Sequence, residues 1–310
     1  MTISVFIDGA VGTTGLEIAD RLAGRAEFTL LTLDEAQRKS PDARRTAYHS
    51  TDFAILCLPD EAAIEAVALA EGAKVRIIDA SSAHRVAPGW TYGFPEVIGG
   101  EAVASAKLVS NPGCYPTGFI ALLAPLLRAG LLPTDWPYSV NAVSGYSGGG
   151  KALIARFEGD PDIAFRSYGL AMGHKHVPEM QRYAGPSGLA HTPVFAPSVI
   201  PAHRGMVVEV PLPLAAIPGA ASPDALRVAL IAFYESSAVV QVHTDTPAEL
   251  LLHRSARPSD RLDLYVFGAS DGSQARLVAV LDNLGKGASG AAVQNLNLMA
   301  GLPETAGLVL

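Results

Sequence analysis

The chain has 310 residues, 49% of them hydrophobic, and a formal net charge of −7 at pH 7. This length predicts two domains or one very large one, and the acidic balance argues against nucleic acid or an anionic membrane as a partner. The N-terminus lacks a signal-peptide pattern, and no apolar run reaches the roughly 18 residues that a membrane span needs. We therefore expect a cytoplasmic protein whose two cysteines, Cys57 and Cys114, are free thiols.

The first part of the chain alternates short apolar runs with helical patterns. Strands are predicted over residues 3–7, 28–33, 53–58 and 75–79, and helices over residues 12–22 and 61–71. Continuous apolar strands separated by helices are typical of a parallel sheet covered on both faces. Such a sheet binds its ligands at the carboxyl ends of the strands.

The first strand leads into a glycine-rich turn that opens the first helix. This turn is Gly9-Ala10-Val11-Gly12-Thr13-Thr14-Gly15. Glycines let the backbone approach a pyrophosphate at the helix N-terminus, so the turn is a candidate cofactor site. Its spacing departs from G-x-G-x-x-G because Ala10 occupies a glycine position, and a plain structural turn is the alternative.

Acids and cations follow the second predicted strand. Asp34 and Glu35 lie about 20 residues after the turn, where an acid suits the unphosphorylated ribose of NAD. Four cations come next: Arg38, Lys39, Arg44 and Arg45. These cations could hold a 2′-phosphate, with a solvated helix face as the alternative, and we expect NADP.

The segment around Cys114 points to a reactive thiol. Pro116 suits the first turn of a helix, which the apolar positions Ile120, Leu123 and Leu127 continue. A cysteine at a helix N-terminus has its thiolate stabilised by the helix dipole, and free N–H groups there can hold an oxyanion. The alternative is a buried structural cysteine, which is the interpretation we prefer for Cys57.

Two later segments carry further candidates. The loop Ser144–Lys151 is rich in glycine and is either a phosphate-binding loop without Walker spacing or a flexible hinge. In the second, His174 and His176 share one face if the chain is extended, and Glu179 lies in the first turn of a helix opened by Pro178. Zinc is a rival use of two histidines, but with too few ligands nearby we expect no metal.

The second half of the chain has a different pattern. Strands of a mostly antiparallel sheet are predicted over residues 207–213, 239–243, 263–267 and 275–281, and helices over residues 150–157, 178–183 and 223–234. A last helix, residues 287–299, is assigned back to the first domain. The expected fold class is α/β, with a Rossmann-like dinucleotide-binding domain at 1–114 plus 287–310 and an α+β domain at 115–286.

Together these motifs resemble the N-acetyl-γ-glutamyl-phosphate reductase family in its shorter form, over residues 9–299. The most specific match is Asn111-Pro112-Gly113-Cys114-Tyr115-Pro116-Thr117. Shorter matches lie at residues 79–85, 92–96, 144–151, 174–179, 282–288 and 293–297. Related phosphorylating semialdehyde dehydrogenases share the architecture but carry different residues around the cysteine.

The resemblance implies that NADPH reduces N-acetylglutamyl phosphate to N-acetylglutamate 5-semialdehyde with release of phosphate, in arginine biosynthesis. Cys114 would form a thioester before hydride transfer, and a histidine would move the proton. No metal is required, because phosphate is a good leaving group. The resemblance further implies that the 115–286 domain is catalytic and builds a homodimer or homotetramer.

Site residues follow from the same pattern. His174 is expected to be the acid/base, His176 to position the substrate, and Glu179 to orient either ring. Substrate contacts are expected at Arg85, Asn111, Lys151 and Arg204. Cofactor contacts beyond the first turn and Arg38 are expected at Ser81, Gly145, Ser147, Gly148, Gln294 and Asn295. The role of His203, next to Arg204, stays open.

Two alternatives remain at this point. One is the same chemistry on another acyl phosphate, such as an aspartyl or acetylaminoadipyl phosphate, which the shape of the pocket decides. The other is a non-catalytic NADP-binding redox sensor. The histidine pair and the second glycine loop argue against a sensor, which needs neither.

Overall fold

The computed structural model describes residues 2–310. They form two compact units. The first runs to Gly113 and includes Ala288–Leu308, and the second comprises Cys114–Gly287 and Val309–Leu310. Cys114 and Gly287 thus belong to the second unit, whereas the predicted boundaries placed both in the first.

The first unit contains a sheet of six strands. They are β1 (Ile3–Asp8), β2 (Phe28–Leu31), β3 (Phe53–Leu56), β4 (Arg76–Asp79), β5 (Thr91–Tyr92) and β6 (Leu108–Ser110). Its helices are α1 (Thr13–Leu22), α2 (Pro41–Ser50), α3 (Asp60–Leu69), α4 (Pro95–Ile98), α5 (Gly100–Ser105) and the late α10 (Gly290–Met299). The order is β2-β1-β3-β4-β6-β5 and all neighbours are parallel, which confirms the predicted Rossmann-like sheet.

Two apolar clusters cover the two faces of this sheet. Successive residues of a strand point to opposite faces, so Val5 and Ile7 of β1 pack in one cluster and Phe6 packs in the other. The first cluster includes Val293 and Leu296 of α10. Helix α10 therefore packs in the first unit.

Helix α2 is a feature that apolar periodicity does not predict, because most of its surface is polar. Its start follows local rules instead: the Ser40 hydroxyl accepts a hydrogen bond from the N–H of Ala43 at 3.3 Å, and Pro41 occupies the first turn. The helix buries Arg44, Ala47 and Tyr48. This burial places a cation inside the first unit.

The second unit contains a sheet of seven strands. They are β7 (Ser139–Gly145), β8 (Arg166–Ser167), β9 (Val194–Ile200), β10 (Met206–Leu212), β11 (Val240–Val242), β12 (Leu262–Gly268) and β13 (Ala275–Leu281). Its helices are α6 (Cys114–Arg128), α7 (Gly150–Gly159), α8 (Val177–Tyr183) and α9 (Pro223–Tyr234). The order is β11-β12-β13-β10-β7-β9-β8, with parallel pairing at β11/β12 and β7/β9 and antiparallel pairing elsewhere, so the predicted α+β unit is confirmed.

Helix α6 is the central helix of the second unit. Every residue from Tyr115 to Leu127 is buried, as expected for a helix that is apolar on all sides. It packs against β10, β13, α8 and α9. Cys114 is its first residue, so the predicted helix-start position of the thiol is confirmed.

Within residues 2–310, no helix is long and apolar enough to cross a membrane. The same residues contain no group of three or more His, Cys, Asp or Glu side chains placed to hold a metal ion.

Candidate active site

The glycine-rich turn after β1 depends on two close backbone approaches. Gly9 has φ +89°, and a Cβ there would collide with the carbonyl oxygen of Cys57. A Cβ on Gly15 would lie 2.5 Å from the carbonyl oxygen of Gly9. Since neither position accepts a larger residue without movement, the glycines shape the turn.

The turn leaves the start of α1 open. Gly12 is the N-cap residue and provides no side chain to the first N–H groups of the helix, which begins with Thr13 and Thr14. The N–H of Gly12 is itself bonded to the carbonyl of Gly9 at 3.0 Å. Uncapped N–H groups at the positive end of a helix form a site for a phosphate group.

A cavity of about 320 Å³ lies at the carboxyl ends of β1, β2 and β3. The turn lines it with Ala10 and Gly12, and the ends of β2 and β3 add Leu33 and Cys57. The cations Arg38 and Lys39 complete this part of the lining. Arg38 forms an exposed ion pair with Glu35 at 2.9 Å. The uncapped N-terminus of α1 and two cations therefore border the same cavity within the first unit.

The four candidate cations separate in the structure. Arg38 and Lys39 line the cavity, whereas Arg45 is exposed and lines a different surface hollow. Arg44 is buried, and its Nε donates to the Asp8 carboxylate at 2.9 Å. Neither Arg44 nor Arg45 lines the cavity with Arg38 and Lys39, so we do not retain the hypothesis that one of them contacts a 2′-phosphate.

If Arg38 and Lys39 bind the 2′-phosphate, replacing both by alanine should weaken NADP binding at least about tenfold more than NAD binding, because NAD lacks that group. Arg45→Ala is the matched control and should change neither affinity. Binding constants from protein fluorescence titrations test this. An equal loss for both cofactors would contradict it.

The segment after β4 is fixed by a fully buried carboxylate. Asp79 accepts hydrogen bonds from the N–H and the hydroxyl of Ser81 at 2.8 and 2.7 Å, and its other contact is Nδ1 of His84 at 2.6 Å. Arg85, which is 7% exposed, donates from Nε to the carbonyl oxygen of Asn111 at 3.0 Å. Arg85 thus holds the chain shortly before Cys114, whereas Ser81 bonds to Asp79. The ligand contacts of Ser81 and Arg85 stay predictions.

Gln294 and Asn295 are both completely buried in α10. The Gln294 amide donates to Glu96 at 2.9 Å and to Glu304 at 2.7 Å. The Asn295 amide donates to the Gly93 carbonyl at 2.9 Å and to the Asn111 side chain at 3.0 Å. These bonds give both side chains a supporting role within the first unit, and their contact with a nicotinamide stays a prediction.

Cys114 is half-buried in the second unit and packs against the backbone of Gly287. A Cβ on Gly287 would lie 2.8 Å from the Cβ of Cys114 and 3.1 Å from the carbonyl oxygen of Asp282. Cys57, predicted to be buried, is also half-buried, but burial, with smaller contributions from Asp79 and Asp8, raises the pKa of its thiol to about 12. The Cys57 thiol therefore stays protonated and unreactive at neutral pH.

Gly287→Ala is accordingly expected to displace Cys114 and to lower kcat about tenfold to a hundredfold, since small misplacements of a reacting group are that costly. Gly159→Ala is the control, because nothing lies within 4 Å of its Cβ position. Steady-state rates and melting curves of both variants test this expectation. Wild-type activity in Gly287→Ala would refute the close packing.

The two histidines lie in a turn, and the expected extended segment is wrong. The N–H of Val177 bonds to the carbonyl of His174 at 3.0 Å, and His176 has helical angles as the N-cap residue of α8. The imidazole rings are 4.8 Å apart. Glu179, in the first turn of α8, is 1% exposed.

A hydrogen bond distinguishes the two rings. Nδ1 of His174 accepts from the backbone N–H of His176 at 3.1 Å. An accepting Nδ1 carries no proton, so the proton of the neutral His174 ring lies on Nε2. The side chain of His176 is 7% exposed.

Two tyrosines next to this turn were missed by the sequence analysis. The Tyr115 hydroxyl donates to the carbonyl of Ser198 at 3.2 Å and accepts from the Tyr168 hydroxyl at 3.2 Å. The Tyr115 ring lies 6.2 Å from the His174 ring and 5.8 Å from the His176 ring. Since Tyr115 directly follows Cys114, this ring connects the thiol segment to both histidines within one unit.

The two phenols remain protonated near neutral pH. Burial raises the pKa of Tyr115, and burial also raises the pKa of Tyr168 to about 12, with the charge of Cys114 adding to both. A tyrosine that precedes a histidine pair is the sequence signal that could have identified Tyr168. Tyr168 directly follows the two-residue strand β8 and belongs to no apolar pattern.

Hydrogen bonds and close backbone packing hold the loop between β7 and α7. A Cβ on Gly145 would lie 2.7 Å from the carbonyl of Ala202, and the N–H of Ser147 bonds to the carbonyl of His203 at 3.1 Å. The Ser147 hydroxyl accepts from Asn283 at 2.9 Å. Gly148 and Lys151 are exposed on the same loop.

Arg204 is bonded to a carboxylate in the second unit. Its Nη1 donates to Asp282 at 2.7 Å, and the carbonyl of Asp282 accepts from the N–H of Gly287 at 2.9 Å. Arg204 is thereby linked through Asp282 to the glycine that packs on Cys114. Of the cations expected to bind substrate, Lys151 is exposed and Arg204 lies close to the thiol segment.

Family models match most of the chain. The model for the semialdehyde dehydrogenase NAD binding domain matches residues 32–106, and the model for the semialdehyde dehydrogenase dimerisation domain matches residues 114–283.

Curated relatives match almost the full length. N-acetyl-gamma-glutamyl-phosphate reductase 2 of Nostoc sp. is 47% identical, with 98% of both chains covered. The protein of the same name from Pseudomonas putida is 49% identical, also over 98% of both chains. N-acetyl-gamma-glutamyl-phosphate reductase of Brucella ovis is 49% identical and covers 97% of this chain and 100% of its own.

Solved structures share the fold at low identity. Aspartate semialdehyde dehydrogenase II from Vibrio cholerae superimposes with a TM-score of 0.70 at 19% identity, covering 97% of this chain and 99% of its own. Aspartate semialdehyde dehydrogenase with NADP from Candida albicans has a TM-score of 0.66 at 14% identity over the same shares.

Proposed function

Because the chain belongs to the N-acetyl-γ-glutamyl-phosphate reductase family, we propose that it reduces N-acetyl-γ-glutamyl phosphate to N-acetyl-L-glutamate 5-semialdehyde, with NADPH as the hydride donor and phosphate as the second product. This reaction is a step of arginine biosynthesis. The observation that carries the proposal is the grouping of Cys114, at the start of a buried helix, with the two-histidine turn in one unit.

The nucleophile is the thiolate of Cys114. The first N–H groups of α6 favour the thiolate and later bind the carbonyl oxygen as negative charge develops on it. Attack on the acyl carbon forms a carbon–sulfur bond and breaks the carbon–oxygen bond to phosphate, which leaves with the electron pair. The product on the protein is a thioester.

NADPH, when bound, supplies the hydride that reduces this thioester. Reduction places negative charge on the former carbonyl oxygen, and breaking of the carbon–sulfur bond then releases the aldehyde and the Cys114 thiolate. One histidine donates a proton to that oxygen and takes it back as the carbon–sulfur bond breaks. The rings of the protonated Tyr115 and Tyr168 pack against the histidine turn.

The hydrogen bond at His174 supports the opposite histidine assignment to the one drawn from the sequence. An imidazole that gains and loses a proton at Nε2 carries a proton on Nδ1 in its neutral and in its charged form. In His174 that proton would break the hydrogen bond that Nδ1 accepts from the N–H of His176. His176 is therefore proposed as the acid/base. His174 presents a fixed Nε2–H donor that positions the substrate, and Glu179 orients the pair.

We assign cofactor binding to the first unit and substrate binding to the second. The glycine turn, Arg38, Lys39 and Ser81 of the first unit are proposed to bind NADP. Gly145, Ser147 and Gly148 belong to the second unit, and their contact with the cofactor stays a prediction. Substrate anions are assigned to Lys151 and Arg204, with Arg85 and Asn111 supporting the thiol segment. His203 contacts Tyr146, ring centroids 5.6 Å apart, and is given a packing role.

The second unit is also the proposed subunit-association unit, because the matching family model is named a dimerisation domain. A homodimer or homotetramer is expected, and light scattering of the purified protein tests it against a monomer. A cytoplasmic location is proposed because a free cysteine nucleophile requires a reducing compartment.

The reaction is tested in reverse. Purified protein should reduce NADP with N-acetylglutamate 5-semialdehyde in the presence of inorganic phosphate and should stop without phosphate. Aspartate semialdehyde is the competing substrate in a parallel assay. Equal turnover of aspartate semialdehyde would contradict the substrate assignment, and NADP binding without turnover of either aldehyde would favour a non-catalytic protein.

A further inference from the structure

A buried group of three side chains in the first unit takes no part in the proposed reaction. Nε of Arg44 donates to Oδ2 of Asp8 at 2.9 Å, and the hydroxyl of Tyr48 donates to the same oxygen. Asp8, Arg44 and Tyr48 are 3%, 6% and 0% exposed. The Asp8 carboxylate is thus removed from water, and its Oδ2 accepts hydrogen bonds from two protein donors.

Asp8 is the last residue of β1 and lines the same cavity as Arg38 and Lys39. An acid in a cavity that binds a phosphorylated cofactor opposes that binding unless its charge is balanced. Arg44 provides this balance as an ion pair, and Tyr48, protonated because burial and Asp8 raise its pKa, adds a neutral donor.

We propose that Arg44 is a positioning residue that determines cofactor specificity: by neutralising Asp8, it lets the cavity accept the 2′-phosphate of NADP. This inference rests on the proposed function, because it requires the cofactor to lie in this cavity. The 2′-phosphate carries about −1.5 to −2 charges at neutral pH. NAD lacks this group, so an unpaired Asp8 would repel NADP much more strongly than NAD.

The neighbouring residue provides a matched control. Arg45 lies on the same helix and carries the same charge, but it is exposed and lines a different hollow with Thr46 and His49. Long-range charge effects on the cofactor would be similar for the two arginines. A change in cofactor affinity that acts through Asp8 is therefore expected on replacing Arg44 and not on replacing Arg45.

The experiment measures dissociation constants for NADP and NAD at pH 8 in four variants: Arg44→Met, Arg44→Lys, Arg45→Met and the double variant Asp8→Asn/Arg44→Met. Arg44→Met should raise the NADP-to-NAD ratio of dissociation constants about tenfold or more, since a buried uncompensated charge acts through a low dielectric. Arg44→Lys should keep most of the specificity. Arg45→Met should leave the ratio unchanged, and the double variant should restore it, because it removes both charges.

Equal weakening of both cofactors in Arg44→Met, or a double variant whose ratio stays high, would overturn the proposal in favour of a purely structural ion pair. If Arg44→Met does not fold, Asp8→Asn alone decides: it should tighten NADP relative to NAD, and an unchanged ratio overturns the proposal. Failure of the wild type to bind either cofactor is a different result, which contradicts the proposed function itself.

Discussion

Cys114→Ala is expected to lose more than about four orders of magnitude in kcat, because the nucleophile that forms the thioester is absent. Cofactor affinity should persist, since the cavity that we assign to NADP lies in the first unit and Cys114 in the second. Rates in both directions and NADPH titrations of the variant test this. Residual activity near the wild-type level would refute a covalent mechanism.

Alkylation provides the control for this expectation. Iodoacetamide at neutral pH should label Cys114 and spare Cys57, whose raised pKa keeps its thiol protonated. Cys57→Ser should be labelled and inactivated as fast as the wild type, whereas Cys114→Ser should resist labelling. Peptide mass spectrometry identifies the modified position.

His176→Asn is expected to lower kcat by about two orders of magnitude or more, the usual effect of losing a general acid–base group. His174→Asn should mainly raise KM, because the fixed Nε2–H of His174 is proposed to position the substrate without changing its protonation. The split between kcat and KM in the two variants distinguishes the roles. A collapse of kcat in His174→Asn with a mild effect in His176→Asn would restore the assignment drawn from the sequence.

The sequence predicts the positions that obey local rules. The glycine turn after β1 and the helix start at Cys114 both follow from steric demands of glycine and proline, and the 111–117 motif identified the family that the curated relatives confirm. Strand β9 was missed because Pro197 interrupts its apolar pattern. Helix α2 was missed because only its cap marks it.

Roles that depend on tertiary contacts could not be predicted. Sequence spacing placed His174 and His176 on one face of an extended segment, but the turn into α8 gives their rings different partners. The sequence pattern predicted Arg44 to be a cation for phosphate or for solvent, whereas in the structure it is buried in α2 and bonded to Asp8. Gln294 and Asn295 have the polarity of ligand-binding residues, yet their amides donate to protein groups. The Gln294 amide donates to Glu96 and Glu304, and the Asn295 amide donates to Gly93 and Asn111.

The central claim is the thioester at Cys114, and mass spectrometry of the protein mixed with N-acetyl-γ-glutamyl phosphate in the absence of NADPH tests it most directly. The account predicts a burst of phosphate close to one equivalent per site and an N-acetylglutamyl adduct on the peptide that contains Cys114. Addition of NADPH should discharge the adduct as the semialdehyde, and Cys114→Ala should show neither burst nor adduct. Turnover with NADPH but no burst and no adduct in its absence would contradict the account.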